Sequence, residues 1–435
     1  MSYGLKRSAY LAAALTASVV TLRSHATWSI VIADSETKEV AVGTVTCLDN
    51  FDLLALVPVI VVGRGGAAVQ AAGDFNGIRR PIIFEHLIHG TDPEEILALL
   101  AEIGGHQSRQ YGISDTQSRM ITFTGSLTSQ WAGGVVGTQG TMVYAIQGNI
   151  LAGACVVPAI EAALLNTSGD VAAKLMAGMQ AARFAGGDGR CSCLPNNPTS
   201  CGCPPLDFVK SGHIGTMVVA RIGDTDDAVC NASGCADGDY FMKFNVPFQA
   251  NSNPDPVIQL QEMFDKWRTA LVGRPDAVQS LVEFDPEQIP PDGESTTTML
   301  ITLLDWQGEP ITQPIKLLAV SHAPESADIS TIGEPIDNDD GTFSVPITSG
   351  IRAGIDRFLV EVDDGIRPVT LMPNSSLQYF AAADLDMNGT VGTSDLLILL
   401  SNWGPCVDCD DCPADLNDDC AVSTADLLIL LANWG

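Results

Sequence analysis

The stretch T-W-S-I-V-I-A-D-S-E-T-K-E-V-A-V, which runs from Thr27 to Val42, contains two β-prone runs around a polar segment. The runs Trp28–Ala33 and Val40–Thr46 are short and rich in β-branched residues, and D-S-E-T-K-E between them is typical of a turn. The sequence therefore predicts a β-hairpin here. We expect this hairpin to open the first folded domain.

The residues before Thr27 have the pattern of a secretory signal peptide. A basic start is followed by an apolar run over residues 9–22, and Ser24 and Ala26 are small residues at the −3 and −1 positions of a cleavage site. Residues 1–26 are therefore predicted to be a signal peptide on an exported protein. Cleavage after Ala26 would make Thr27 the first residue of the mature chain.

An N-terminal threonine carries a hydroxyl and a free α-amine on one residue. The amine, with a pKa near 8, can take the hydroxyl proton near neutral pH, as in N-terminal threonine hydrolases. The alternative is that Thr27 is only the first strand residue of an exported domain. The local sequence leaves both interpretations open.

Composition limits the classes of partner. The 435 residues carry 52 acidic and 22 basic side chains, a formal net charge of −30, which disfavours nucleic acid or an anionic membrane surface. No apolar run after the signal approaches the roughly 20 residues that span a bilayer, so no transmembrane anchor is expected. Residues 381–435 contain ten Asp and no Lys or Arg, which points to divalent cations.

The twelve cysteines fall mostly in clusters. In an oxidising compartment such clusters are predicted to form disulfides. A zinc site in the C-S-C…C-G-C cluster of residues 191–203 is the alternative, although this spacing is unusual for zinc. Cys47 and Cys155 have no obvious local partner.

Residues 27–222 read as strands and helices in alternation, which predicts a layered α+β domain. The capping box Thr91–Glu94 is expected to start an amphipathic helix. A second hairpin is predicted from Arg109–Ser114 and Met120–Thr124. Two Ala-rich helices are predicted at 158–165 and 169–184, and a final strand at Gly215–Ile222.

Residues 281–373 change in character to short alternating runs with frequent turn signals, which predicts a small β-sandwich. The segment P-P-D-G-E-S, with Pro291, Asp292, Gly293 and Ser295, resembles the opening of bacterial immunoglobulin-like domains. No catalytic constellation is present in it. We expect a spacer.

The tail contains an internal repeat. D-L-L-I-L-L-S-N-W-G (Asp395–Gly404) recurs 31 residues later as D-L-L-I-L-L-A-N-W-G (Asp426–Gly435), and each copy follows an acidic loop. The spacing is that of EF-hand calcium loops, which predicts two calcium sites. The predicted ligands are Asp384, Asp386, Asn388, Thr390 and Asp395 in loop one, and Asp415, Asn417, Asp419, Ala421 and Asp426 in loop two, with residues Thr390 and Ala421 acting through their carbonyls.

This duplicated plan resembles a type I dockerin over residues 381–435. The resemblance implies a small α-helical module that folds around two calcium ions and docks onto a cohesin-like or cell-surface partner, with Thr393-Ser394 and Thr424-Ala425 at recognition positions. Cys420 replaces the glycine expected in loop two, which weakens that loop unless a disulfide fixes its backbone. A self-contained calcium-stabilised tail is the alternative.

The first domain resembles the family called domain of unknown function 1028, which is placed in the N-terminal-nucleophile (Ntn) hydrolase superfamily. The motifs that carry the resemblance are the Thr27 stretch, G-R-G-G-A-A-V-Q-A, R-Q-Y-G-I-S-D, T-F-T-G, Y-A-I-Q-G-N-I-L-A-G and A-G-G-D. The resemblance implies an αββα sandwich over residues 27–273 and hydrolysis of an amide or peptide bond in an unknown substrate. The chain departs from the family in a Cys-rich insertion at residues 189–205.

Four polar residues within these motifs are candidates to assist Thr27. Asn149 is the first candidate for an oxyanion donor, and Gln70, Arg64 and Asp188 are candidates for orientation or charge balance. Each of the four has a structural alternative, because Gly-flanked polar residues often serve turns. The alternative for the whole protein is a non-catalytic secreted surface or matrix protein that binds through the same scaffold.

Overall fold

The computed structural model of the chain describes residues 27–381, 383–386, 388–407, 409, 412–417 and 419–435. The predicted signal peptide lies outside these residues. Among the described residues, no helix is both long and apolar enough to cross a membrane.

The first domain mixes strands and helices, as the sequence predicts. Its strands are β1 (Thr27–Asp34), β2 (Val40–Thr46), β3 (Pro58–Val61), β4 (Gly65–Ala71), β5 (Arg109–Asp115), β6 (Met120–Thr124), β7 (Ala132–Gln139), β8 (Met142–Asn149), β9 (Ile214–Ala220) and β10 (Met242–Val246). Its helices are α1 (Arg79–Ile88), α2 (Pro93–Ala101), α3 (Val156–Asn166), α4 (Val171–Phe184), α5 (Gly189–Ser192) and α6 (Pro256–Ala270).

Two antiparallel sheets form the centre of this domain. The larger has the order β10-β9-β2-β1-β8-β7 and the smaller the order β3-β4-β5-β6. The predicted β1–β2 hairpin is present and lies in the middle of the larger sheet, with β8 on the other side of β1. The start of β1 is therefore held between two neighbouring strands.

The sheets are stacked between two layers of helices. On β1, alternate residues such as Trp28 and Ile30 pack against α3, α4 and α6, because successive strand side chains point to opposite faces. Val31 faces the smaller sheet instead. The far face of the smaller sheet, with Tyr111, packs against α1 and α2. The resulting layer order is helix, sheet, sheet, helix.

The start of α2 differs from the prediction. The N-cap is Asp92, whose carboxylate accepts a hydrogen bond from the Glu94 N–H at 2.8 Å, and Pro93 takes the first helical position. Thr91 is not the cap, because its hydroxyl lies 3.1 Å from Nδ1 of His86, at the turn that ends α1. The capping-box assignment to Thr91 was one residue early.

The second domain is a β-sandwich, which confirms the immunoglobulin-like prediction. One sheet contains β11 (Leu281–Asp285), β13 (Thr296–Thr302), β15 (Thr331–Ile332), β16 (Ile336–Asp337) and β17 (Thr342–Thr348). The other contains β12 (Gln288–Ile289), β14 (Leu317–His322), β18 (Gly354–Asp363), β19 (Pro368–Thr370) and β20 (Ser375–Tyr379). Their inner faces enclose a core that includes Met299 and Phe358.

A buried charge cluster joins the two domains. Arg221, just after β9, contacts Glu39 at 2.8 Å, Asp170 at 3.3 Å and Asp276 at 2.9 Å, and its side chain is only 5% exposed. Asp276 belongs to the segment that leads into the sandwich. Burial raises the pKa of Glu39 to about 7, against the opposing attraction of Arg221 and with added repulsion from Asp170.

The tail forms two helices, α7 (Thr393–Ser401) and α8 (Thr424–Ala432), with a two-strand pairing between β21 (Gly404–Pro405) and β22 (Ala421–Val422). Leu399 and Leu430, at equivalent places in the sequence repeat, are both buried in one small core. The repeat therefore contributes symmetrically to this core.

Candidate functional site

Thr27 begins β1 in the middle of the larger sheet, and it is only 3% exposed. It pairs with Asn149 on β8, and the β1–β2 register, in which Trp28 pairs with Val45, brings it level with Thr46 on β2. Strand alternation places all three side chains on the face toward the smaller sheet, the face used by Val31, Val42 and Ala145. Three polar residues from three strands therefore lie side by side.

Gln70 reaches this point from β4 of the smaller sheet. Its Nε2 donates to the carbonyl oxygen of Thr27 at 2.9 Å and to Oε1 of Gln110 at 2.9 Å, and its Oε1 accepts a hydrogen bond from the Ser29 hydroxyl. Gln110 in turn donates to the carbonyl of Gly148 at 2.8 Å. The two buried amides thus fix the start of β1 and the end of β8 against the smaller sheet.

Asn149 is the last residue of β8 and is fully buried beside Thr27. Immediately after it the chain leaves the sheet, where Ile150 adopts a positive φ of 52° and donates its N–H to the carbonyl of Ser129 at 3.2 Å. The Asn149 amide is therefore held at the strand end, next to the Thr27 backbone. This location suits a donor to an oxygen that develops charge near Thr27.

Asp188 lies at the same end of the sheet. It pairs with Leu151, two residues beyond Asn149, and its fully buried carboxylate accepts from the N–H of Cys47, which follows Thr46, at 2.7 Å. The same carboxylate caps α5 by accepting from the Arg190 N–H at 3.0 Å. The structure therefore brings Thr27, Gln70, Asn149 and Asp188 together.

Arg190 was not among the residues predicted from the sequence. Its guanidinium holds Asp188 in a fork, with Nη2 2.8 Å from Oδ2 and Nε 3.2 Å from Oδ1, and Nη2 lies 3.5 Å from the Thr46 hydroxyl. The available signal was its place directly after A-G-G-D and Gly189, at the start of the Cys-rich insertion. Nothing in the sequence singled out Thr46, because its place beside Thr27 follows only from strand pairing.

Arg64 does not belong to this group. It is an exposed residue in the turn between β3 and β4, where its N–H donates to the carbonyl of Val61 at 3.0 Å. Gln70 lies at the other end of β4, six residues away, which corresponds to roughly 20 Å at about 3.3 Å per strand residue. The prediction that Arg64 assists Thr27 is therefore not supported by its position.

All twelve cysteines form disulfides, which confirms that prediction and removes the zinc alternative, because a bonded sulfur is no thiolate ligand. In the Cys-rich insertion, Cys193 pairs with Cys201, and two further bonds join the insertion to the body of the domain. The six pairs are Cys47–Cys191, Cys155–Cys203, Cys193–Cys201, Cys230–Cys235, Cys406–Cys412 and Cys409–Cys420. These disulfides indicate that the protein resides in an oxidising, extracytoplasmic compartment.

In loop one of the tail, carboxylate oxygens of Asp384, Asp386 and Asp395 lie within 4.8 Å of one another. Gly389 sits at a φ of +88° at the sharp turn, and its N–H donates to Asp384 at 2.8 Å. Burial opposes ionisation of Asp395, but N–H donors from Gly392 and Asp386 hold its pKa below the usual range. The cluster has the oxygen chemistry and convergence that calcium prefers.

Loop two repeats this geometry with one substitution. The N–H of Cys420 donates to Asp415 at 2.6 Å, and that of Ser423 donates to Asp426 at 2.7 Å, as Gly389 and Gly392 do in loop one. Cys420 adopts a φ of +68°, at the position of Gly389, and it is bonded to Cys409. A disulfide thus holds a backbone conformation that loop one reaches with glycine.

Comparison with known proteins assigns the first two domains to classes. Residues 27–193 match the model of the family described as "Family of unknown function (DUF1028)", and residues 276–371 match that described as "Invasin, domain 3". The predicted family resemblance of the first domain is thereby confirmed for residues 27–193, and the second domain is immunoglobulin-like and similar to an invasin domain. A search of curated proteins gave no match.

Three solved structures are similar to parts of the chain. A DUF1028-family protein of Silicibacter pomeroyi is 18% identical with a TM-score of 0.39, and the match covers 55% of this chain and 88% of that one. InvD of Yersinia pseudotuberculosis is 20% identical with a TM-score of 0.19, covering 23% and 27% of the respective chains. The adhesin InvE of the same organism is 23% identical with a TM-score of 0.17, covering 21% and 25%.

Proposed function

We propose that the protein is an exported N-terminal-threonine amidohydrolase of the Ntn type, carried on a chain with an immunoglobulin-like spacer and a calcium-binding dockerin-like tail. The observation that carries the proposal is the convergence of Asn149, Gln70 and Asp188 on Thr27 at one end of the larger sheet. The family match also begins at residue 27, where signal cleavage is predicted.

The proposed reaction uses the two functional groups of a mature Thr27. The α-amine takes the hydroxyl proton as Oγ1 attacks the carbonyl carbon of an amide, and the resulting oxyanion is stabilised by a donor such as the Asn149 side chain. The carbon–nitrogen bond then breaks, and the leaving amine takes the proton. Water hydrolyses the ester formed on Thr27 and regenerates the hydroxyl.

Two residues support this chemistry without entering it. Gln70 holds the carbonyl oxygen of Thr27, so its role is to orient the nucleophile's backbone. Asp188 is engaged by Arg190 and by the N–H of Cys47, so it fixes the neighbouring strand end. Neither carboxylate nor amide needs to change protonation state during the reaction.

The first test is the N-terminus of the mature protein. Mass-spectrometric sequencing of secreted material should begin at Thr27, and any other start would remove the base from the mechanism. The processed protein should then be acylated by a β-lactone probe on Thr27 alone. Thr27→Ala should abolish this labelling and Thr27→Ser should retain it, while Thr37→Ala on the β1–β2 turn serves as a matched control.

For the tail, we propose two calcium sites formed by the predicted ligands of loops one and two. The support is the convergence of the Asp384, Asp386 and Asp395 carboxylates and the equivalent backbone geometry around Asp415 and Asp426. In calorimetry, two calcium ions should bind per chain. Asp395→Asn and Asp426→Asn should each leave one site, whereas exposed Asp207→Asn should leave two.

The tail would serve as an anchor through a cohesin-like or cell-surface partner. Thr393, Ser394 and Thr424, at the recognition positions of dockerins, are exposed at the starts of α7 and α8, which supports their availability. A type I cohesin module should bind the calcium-loaded protein and release it in chelator. Lack of binding with calcium sites occupied would favour the self-contained calcium-stabilised tail.

A second candidate function is binding without catalysis, as a secreted surface or matrix protein. It is favoured by the match of residues 276–371 to an invasin domain. The two candidates separate at Thr27: under the binding alternative, a correctly processed protein would resist the β-lactone, and Thr27→Ala would leave every function of the protein intact.

A further inference from the structure

The Cys47–Cys191 disulfide joins two segments that lie 144 residues apart and meet beside Thr27. Cys47 directly follows Thr46, the residue level with Thr27 on β2, and Cys191 lies in α5, three residues after Asp188. The two Cα atoms are 5.7 Å apart. The bond therefore fixes the start of the Cys-rich insertion to the strand next to the nucleophile.

The same two segments are joined again by charge and hydrogen bonds. Asp188 accepts from the N–H of Cys47 and from the forked guanidinium of Arg190, whose side chain is 18% exposed. Nη2 of Arg190 lies 3.5 Å from the hydroxyl of Thr46. Since Thr46 and Thr27 share one face of the sheet, the guanidinium is held close to the Thr27 end of that face.

We propose that Arg190 is a positioning residue of the Thr27 site, tethered by Asp188 and by the Cys47–Cys191 disulfide, and that its fixed charge lowers the pH at which the Thr27 α-amine becomes a neutral base. This proposal rests on the proposed function. A neighbouring cation disfavours a protonated amine, while Asp188 offsets part of that effect. We expect a net displacement of about 0.5 pH unit.

Besides Arg190 and Asp188, the described groups near this end of the sheet include two amides, the imidazole of His213, and the charges of Lys210 and Asp49 that act on that imidazole. Gln70 and Asn149 are neutral amides. Nε2 of His213 lies 3.9 Å from Sγ of Cys47, and burial, with repulsion from Lys210, lowers the pKa of His213 and so favours its neutral ring. The negative charge of Asp49 has the opposite effect and raises the pKa of His213.

The test measures the pH dependence of Thr27 acylation in the processed full-length protein. Oγ1 attacks the β-lactone carbonyl, the ring C–O bond breaks, and the whole probe remains as an ester, so intact mass reports the rate from pH 5.5 to 9. Arg190→Gln should raise the midpoint by about 0.5 unit, a roughly threefold loss of rate at pH 6. Arg190→Lys should keep the midpoint, because the positive charge remains. It should lower the maximal acylation rate reached at high pH, because lysine cannot bind both carboxylate oxygens of Asp188 in a fork.

The paired variant Cys47→Ser/Cys191→Ser should also lower the maximal acylation rate. The control Cys230→Ser/Cys235→Ser removes a disulfide elsewhere and should match the wild type. Periodate oxidation of the N-terminal threonine, which needs only a reachable 1,2-amino alcohol, and circular dichroism verify each variant. If Arg190 and Cys47/Cys191 variants match the wild type in midpoint and rate, the Arg190 role is refuted and the nucleophile stands. If periodate oxidises wild-type Thr27 but the lactone does not acylate it, the proposed function itself fails.

Discussion

Replacing Glu39 with glutamine should remove a large pH dependence from the stability of the first domain. Three carboxylates, Glu39, Asp170 and Asp276, surround two guanidiniums, Arg221 and Arg268, in the buried cluster at the domain junction. One carboxylate is in excess, so the cluster holds a proton most easily on Glu39, whose pKa burial raises from 4.5 to about 7.

The magnitude follows from the difference between the folded and unfolded pKa of Glu39. The folded protein binds the proton more tightly, so this stabilisation is fully present below pH 4.5 and is lost as the pH rises through 7. A pKa higher by about 2.5 corresponds to about 3 kcal/mol at 1.36 kcal/mol per unit. Between pH 5 and pH 8 the wild type should therefore lose about 2 to 3 kcal/mol more than Glu39→Gln.

Urea unfolding at several pH values, followed by tryptophan fluorescence, measures this difference, because Trp28 is fully buried between the larger sheet and its helices. Comparing the variant with the wild type cancels the titration of the many other acidic groups. Glu36→Gln, an exposed residue of the same turn, is the matched control. Identical pH profiles for the wild type and Glu39→Gln would refute the assignment of the proton to Glu39.

Three further changes test other parts of the molecule. Gln70→Leu should destabilise the first domain by about 2 to 4 kcal/mol in urea unfolding, because it removes its hydrogen bonds to three buried residues, Thr27, Ser29 and Gln110; an effect below about 1 kcal/mol would contradict the buried network. Arg221→Met should cost about 3 to 5 kcal/mol by leaving buried carboxylates without a counterion, and an unchanged unfolding midpoint would argue against the cluster. Cys409→Ser/Cys420→Gly should keep two calcium ions in calorimetry, since glycine accepts the positive φ at position 420, whereas Cys409→Ser/Cys420→Val should keep one; equal binding by both would show that this backbone position is unimportant.

The sequence predicted the elements whose residues alternate regularly, and it missed those shaped by close packing. The β1–β2 hairpin was evident from its β-branched runs, whereas β4, G-G-A-A-V-Q-A, has too many small residues to resemble a strand. The structure explains these residues, because a Cβ added at Gly66 would meet Val40 at 2.9 Å. Because the two sheets approach closely, β4 needs small residues, and those small residues make it hard to recognise as a strand in the sequence.

Helix α1 was missed for a different reason. Its N–H groups at Arg79 and Arg80 donate to the carboxylate of Asp74, five and six residues earlier in the chain, rather than to an adjacent N-cap. Both arginines are buried, which also conceals the amphipathic pattern. Local signals could not reveal a helix start built from a non-adjacent acid.

The candidate site, too, was predicted only in part from the sequence. Motifs shared with a family located Gln70, Asn149 and Asp188, which the fold brings to Thr27, but they also suggested Arg64, which lies at the far end of β4. Shared motifs report which residues recur, and not whether they converge. Arg190 could be placed only from the structure, which shows its guanidinium bound to Asp188 beside the Cys47–Cys191 disulfide.

The order of strands in the larger sheet bears on how the first domain can be prepared in isolation. The match to the DUF1028 family stops at residue 193, but β9 and β10, which pair next to β2, come from residues 214–246, and α6 packs on the same face as α3 and α4. A fragment ending at residue 193 would expose β2, every residue of which is buried in the intact domain, as an unpaired edge, the kind of surface on which chains aggregate. Soluble expression of this domain should require residues through the end of α6.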